Sequence, residues 1–166
     1  AGAGHPSVAV SGIAVVGVFG FWTLAAGDVL GAAFTSAFDP HLGVDGLSAF
    51  FLGVLGLVGA PALVFSMRYL EPTASGRAVG ALGACFVLAL ALVLLARDPL
   101  TFLLGWELMT IVPAAVILAT RGGSTAARQS VFTYVAVTHL GGAGTWIAIL
   151  LLANAGAIGD PAAIES

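Results

Sequence analysis

Long apolar runs separated by polar breaks dominate this chain of 166 residues. A run of about 17 to 25 apolar residues can cross the hydrocarbon core of a bilayer as a helix. Five runs meet that criterion, so the pattern predicts an all-α, polytopic transmembrane helix bundle that forms a single domain over 1–166. The predicted helices cover about 8–26, 47–67, 79–96, 100–119 and 130–152.

The polar breaks predict how these helices connect. The break at 27–46 is long and polar enough to lie outside the membrane as extended or irregular chain. The other breaks are short, which favours antiparallel hairpins between consecutive helices.

Charge placement predicts the orientation, because short cytoplasmic loops collect arginine and lysine. Four arginines fall on one side of the predicted bundle: Arg68, Arg77, Arg121 and Arg128. The opposite side holds Arg97 and five aspartates, Asp28, Asp39, Asp45, Asp98 and Asp160. The loop at 27–46 is therefore predicted to be extracytoplasmic.

Local signals support two of the predicted helices. Asp98 before Pro99 is typical of a helix start, since the carboxylate accepts a free N–H and proline has none to lose. Asp45 is a similar capping candidate before the second helix. That helix also carries small residues on one face, which lets helix backbones approach closely in lipid. They are Ala49, Gly53, Gly56 and Ala60.

Composition narrows the class of protein. Hydrophobic residues make up 60% of the chain and charged residues 8%, with no lysine, which excludes an ordinary soluble domain. A net charge of −3 without a basic cluster excludes nucleic acid as a partner. The single cysteine, Cys85, allows no disulfide framework. Because the chain has no initiator methionine and no positively charged leader, we expect a fragment of a longer chain.

Glu107 is the first candidate for chemistry. It lies about 10 Å inside the fourth predicted helix, where an ionised carboxylate costs roughly 2.5 kcal/mol or more. One interpretation is a protonated acid that holds helices together by a hydrogen bond. The other is a proton-relay or ion-binding carboxylate beside a hydrated cavity. Thr110 shares its face, and Pro113 leaves the carbonyl of Met109 without its helical donor.

His139, in the fifth predicted helix, is the second candidate. Its ordinary pKa near 6.5 suits a proton shuttle, and a neutral imidazole bonded between helices is the alternative. A helical wheel places it with Trp146, nearly opposite a stripe of polar or small residues. Metal ligation is disfavoured because His5 and His41 lie outside the predicted helices and no ligand-spaced pair exists. The sequence indicates neither a cofactor nor a metal site.

Three stretches together resemble one family. They are VDGLSAFFLGVLGLVGAPALVFSMRYL, DPLTFLLGWELMT and YVAVTHLGGAG, in that order. Over about 8–152 the chain resembles antiporter-like membrane subunits of respiratory complex I, group 4 membrane-bound hydrogenases and Mrp-type cation/proton antiporters. The third stretch is closest to the hydrogenase and formate hydrogenlyase branch.

The resemblance implies a non-redox membrane subunit that moves protons, or Na⁺, within a hetero-oligomeric complex of membrane and redox subunits. It implies a multi-pass location in the inner (plasma) membrane and a proton-pathway role for Glu107. In the family that glutamate pairs with a lysine on a later helix, and this chain has no lysine. A Mrp-type antiporter subunit and a non-conducting membrane scaffold are the alternatives.

Overall fold

Five helices form the chain in the computed structural model, which describes residues 4–27, 29–31, 33–35, 39–70 and 73–155. Over these residues the fold is all-α, as predicted. Each helix is long and apolar enough to span a membrane, which indicates a multi-pass membrane protein. The helices are α1 (Gly4–Ala26), α2 (Gly46–Tyr69), α3 (Ala74–Leu95), α4 (Pro99–Arg121) and α5 (Thr125–Asn154).

Several helices begin earlier than the apolar runs predict. The first, α1, begins at Gly4, so the prediction that His5 lies outside the helices is wrong. Both α3 and α5 start about five residues early because a polar side chain caps each one. Thr73 accepts the N–H of Gly76 at 3.0 Å, and Ser124 caps α5 in the same way. Polar first turns escape a prediction that counts apolar residues.

The hairpin of α1 and α2 is the closest helix contact in the fold. An ideal Cβ built on Gly17 would lie 2.7 Å from the Cα of Gly56, and one on Gly20 would lie 2.7 Å from the carbonyl oxygen of Ala49. Ala49, Gly53 and Gly56 are all buried. The prediction that the small face of α2 packs against another helix is confirmed.

Residues 29–31 and 39–45, between α1 and α2, lie at one end of the bundle, which we call the loop end. Val44 exchanges two backbone hydrogen bonds with Leu30, at 2.7 and 3.0 Å, and the N–H of Gly43 donates to the carbonyl of Leu95 at 2.9 Å. A Cβ on Gly43 would collide with the carbonyl oxygen of Gly31. Hydrogen bonds therefore tie the predicted irregular segment to the turn between α3 and α4.

A tight turn joins α4 to α5. Gly122 and Gly123 have φ of 62° and 65°, a left-handed conformation that glycine adopts without steric cost. Among the described helices, α5 packs on α4 alone, while α4 also packs on α3. This arrangement lays one face of α5 along the face of α4 that carries Glu107.

Candidate functional site

Glu107 is placed by the start of α4. The Asp98 carboxylate accepts the N–H of Thr101 at 2.8 Å and Pro99 occupies the first turn, as the sequence predicts. Glu107 follows eight residues after Pro99, about 12 Å along the helix axis. Its side chain is 25% exposed on the surface of the five-helix unit. The carboxyl group thus lies well inside a segment that can span a membrane.

Two side chains of α5 contact the Glu107 carboxyl group, one at each oxygen. The His139 imidazole Nε2 lies 2.9 Å from Oε2. The Trp146 indole Nε1–H donates to Oε1 at 2.8 Å. The structure thus brings together both residues that the sequence singles out for proton chemistry, and it adds the tryptophan.

The backbone of α5 holds the other side of the imidazole. His139 Nδ1 lies 3.0 Å from the carbonyl oxygen of Val135, one helical turn earlier. The imidazole is 40% exposed, more than the carboxyl group it contacts. His139 is therefore held at both nitrogens and is the more accessible member of the pair.

The shared face of His139 and Trp146 follows from their spacing of seven residues, which is about two helical turns. The sequence predicts this face correctly, and the structure shows that it packs against Glu107. The polar stripe opposite does not make that contact. Its Thr138 hydroxyl donates to the carbonyl of Tyr134 at 2.9 Å, within α5 itself. The spacing of His139 and Trp146 was the sequence signal that could have placed the tryptophan at the site.

Thr110 uses its hydroxyl within its own helix. Its hydroxyl donates to the backbone carbonyl of Glu107 at 2.9 Å. A threonine hydroxyl satisfied within its own helix needs no other partner in an apolar setting. Trp106 packs against Phe102 instead, with ring centroids 5.9 Å apart.

A second charged cluster lies at the loop end, and sequence reasoning missed its burial. Arg97 is only 6% exposed. Its Nη1 donates to the carbonyl of Ala96 at 2.8 Å, and Nη2 donates to the Ser48 hydroxyl at 2.8 Å and lies 3.4 Å from Asp45 Oδ1. Arg97 Nε is buried without a hydrogen-bond partner among the described residues. We call Arg97, Ser48 and Asp45 the arginine cluster.

Hydrogen bonds hold both capping aspartates in their charged forms. The N–H of Ser48 donates to Asp45 at 2.7 Å and lowers the pKa of that carboxyl below 3.8, with Arg97 adding to the effect. Burial raises the pKa of Asp98, but the N–H groups of Thr101 and His41 outweigh it and the net pKa is lowered. Both aspartates are helix caps, and Asp45 also forms an ion pair with Arg97.

The fold and the site define a multi-pass membrane protein with an acid–imidazole pair inside two membrane-spanning helices. The chain is 33% identical over 116 residues to two curated proteins of Mycobacterium tuberculosis, Uncharacterized protein MT0090 of strain CDC 1551 / Oshkosh and Uncharacterized protein Rv0083 of strain H37Rv. The match covers 70% of this chain and 18% of each relative, so the chain spans under a fifth of their length. No family model matches the chain, and no solved structure matches it.

Proposed function

We propose that this chain carries protons through the inner (plasma) membrane, as part of an antiporter-like subunit in a hydrogenase-type or complex I-type assembly. The observation that carries the proposal is the 2.9 Å contact of Glu107 with His139 between two membrane-spanning helices. An ionisable residue within a membrane span is by default a functional group. Here two such residues meet.

The pair has the chemistry that a relay needs. A carboxyl group and an imidazole exchange a proton across a hydrogen bond of this length without moving their helices. An imidazole can also act as a proton shuttle to a neighbouring water or side chain. By the resemblance, a lysine would lie on a later helix; within this chain His139 is the partner of Glu107.

The partners of the proposed subunit are the lipid bilayer and the membrane and redox subunits of its complex. In this proposal the redox subunits of the assembly handle the electrons. The transported ion is H⁺ or, in the Mrp-type alternative, Na⁺ exchanged for H⁺.

The test replaces Glu107 with glutamine in the intact protein. Glutamine keeps the shape and the hydrogen bond from Trp146 but carries no exchangeable acidic proton. We expect proton uptake by inside-out vesicles, driven by H₂, formate or NADH, to fall at least about tenfold while the complex still assembles. The readout is quenching of a pH-sensitive dye.

A matched control changes a polar residue of α5 away from the pair. Thr133 donates its hydroxyl to the carbonyl of Gln129 within α5, so Thr133→Val should leave proton uptake unchanged. Normal uptake by the E107Q variant would instead support a scaffold role. Uptake that depends on Na⁺ in the unaltered protein would support the antiporter alternative.

A further inference from the structure

Trp146 has no assigned role, yet it donates the shortest hydrogen bond to Glu107. We propose that Trp146 is a positioning residue: it occupies Oε1 of Glu107, so that Oε2 alone exchanges a proton with His139 Nε2, and the two side chains share one proton between them. The inference rests on the proposed function and deepens it.

Donor and acceptor chemistry assigns the protons. The indole Nε1–H of Trp146 donates and never accepts, so Oε1 of Glu107 is an acceptor in this contact. The carbonyl oxygen of Val135 accepts and never donates, so His139 Nδ1 carries a hydrogen. The acceptor role of Glu107 Oε1 and the hydrogen on His139 Nδ1 are therefore both fixed.

One proton remains to be placed between Nε2 and Oε2. With Nδ1 protonated, Nε2 of a neutral imidazole is a lone-pair acceptor, and an ionised carboxylate oxygen is also an acceptor. Two acceptors do not form a hydrogen bond, so the 2.9 Å contact requires one hydrogen between them. The pair is either imidazolium with carboxylate or neutral imidazole with carboxylic acid, and both forms have a net charge of zero.

This proton count explains how the pair fits inside a membrane span. Transfer moves the hydrogen from Nε2 to Oε2, or back, and the net charge of the pair stays the same. A neutral pair avoids most of the penalty of an isolated ion in an apolar medium. The imidazole is the more exposed partner on the surface of the five-helix unit, 40% against 25%.

Other ionisable groups on the neighbouring helices form none of the described contacts of the Glu107 carboxyl oxygens. The remaining ones on α3, α4 and α5 are Arg77, Cys85, Arg121, Arg128 and Tyr134. Arg121 lies fourteen residues from Glu107 along α4, about 21 Å away. Among the described contacts of the carboxyl oxygens, Trp146 and His139 are the side chains involved.

The test measures the hydrogen bonding of the Glu107 carboxyl group in the intact protein with Trp146→Phe. Infrared difference spectra against E107Q isolate the carboxylic acid C=O band of Glu107. Phenylalanine removes the N–H that donates to Oε1, so the C=O stretching band should move to higher wavenumber. Trp22→Phe, on the exposed outer face of α1, is the matched control and should not move it.

An unchanged or lowered C=O band position in W146F would overturn the positioning role. A second measurement is independent of that variant: the ¹⁵N signals of His139, assigned by their loss in His139→Gln, should show a hydrogen on Nδ1. An Nδ1 without hydrogen would also overturn the proposal. Neither result bears on whether E107Q abolishes proton uptake, so failure here is distinct from failure of the proposed function.

Discussion

Replacing Asp98 with alanine should destabilise the loop end more than the loss of an ordinary helix cap. Asp98 is fully buried, with 0% of the residue exposed. One carboxylate oxygen caps α4 through the N–H of Thr101, and the other accepts the N–H of His41 at 2.7 Å from the distant loop. The single side chain thus forms hydrogen bonds both to the start of α4 and to the loop that contains His41.

The expected loss has two parts. Removal of an N-cap costs about 1 kcal/mol. Loss of a charged hydrogen bond to a partly buried amide costs about 1.5 to 3 kcal/mol, because the His41 N–H is left without its acceptor. The free energy of unfolding should therefore fall by about 2.5 to 4 kcal/mol in D98A.

The assay is denaturant unfolding of the intact protein in detergent, followed by tryptophan fluorescence. Thr73→Ala is the matched control, because Thr73 is an exposed N-cap whose oxygen accepts one N–H at 3.0 Å. It should lower the free energy of unfolding by about 1 kcal/mol or less. Equal losses in the two variants would refute the argument that Asp98 also fastens the loop.

Two further predictions concern packing and acid. Gly56→Val would place a Cβ against the Cα of Gly17 and should lower the free energy of unfolding by about 1 to 3 kcal/mol, whereas Gly141→Val, which meets no atom within 4 Å, should change it little in the same assay. The carboxyl groups of Asp45 and Asp98 have a lowered pKa in the fold, so their stabilising contribution is present above 3.8 and is lost as the pH falls through the lowered value. The denaturant concentration at the unfolding midpoint should therefore fall as the pH is lowered below about 4, and it should fall less steeply with pH in Asp98→Asn. An equal dependence on pH in the two proteins would contradict this.

The sequence predicts most of the scaffold because the strongest signals are local. Five apolar runs give five helices, and the small face of α2 packs where its period indicates. Asp45 and Asp98 cap helices because capping depends on a few adjacent residues. The ends of α1, α3 and α5 differ since helix boundaries depend on caps and polar first turns as well as on apolar runs.

The site depends on contacts that no local pattern specifies. The spacing of His139 and Trp146 predicts that they share a face, but it leaves open which face of α5 meets α4. The polar or small stripe on the opposite face of α5 does not meet Glu107, and its Thr138 hydroxyl donates to a carbonyl within the same helix. The partner of Glu107 is therefore set by the rotation of α5 about its axis, which is a property of packing.

The sequence does not predict the burial of Arg97, for a related reason. An arginine in a short turn ordinarily serves to orient a membrane protein. Here the loop before α2 folds over it, and the carbonyls of Leu94 and Ala96 accept from its guanidinium. The loop's return depends on long-range backbone hydrogen bonds, such as the one from the Arg97 N–H to the carbonyl of His41 at 2.9 Å.

The arginine cluster and the pair of Glu107 and His139 differ in what they can do. Arginine is a side chain of constant positive charge, and the partners of Arg97 are backbone carbonyls, Ser48 and Asp45. Glu107 and His139 face each other across a contact that holds one exchangeable proton. A constant charge with fixed donors suits a structural clamp at the loop end. A pair that can exchange a proton between its two members without moving its helices suits transport, and for that reason the proposed function rests on the pair and not on the more deeply buried arginine.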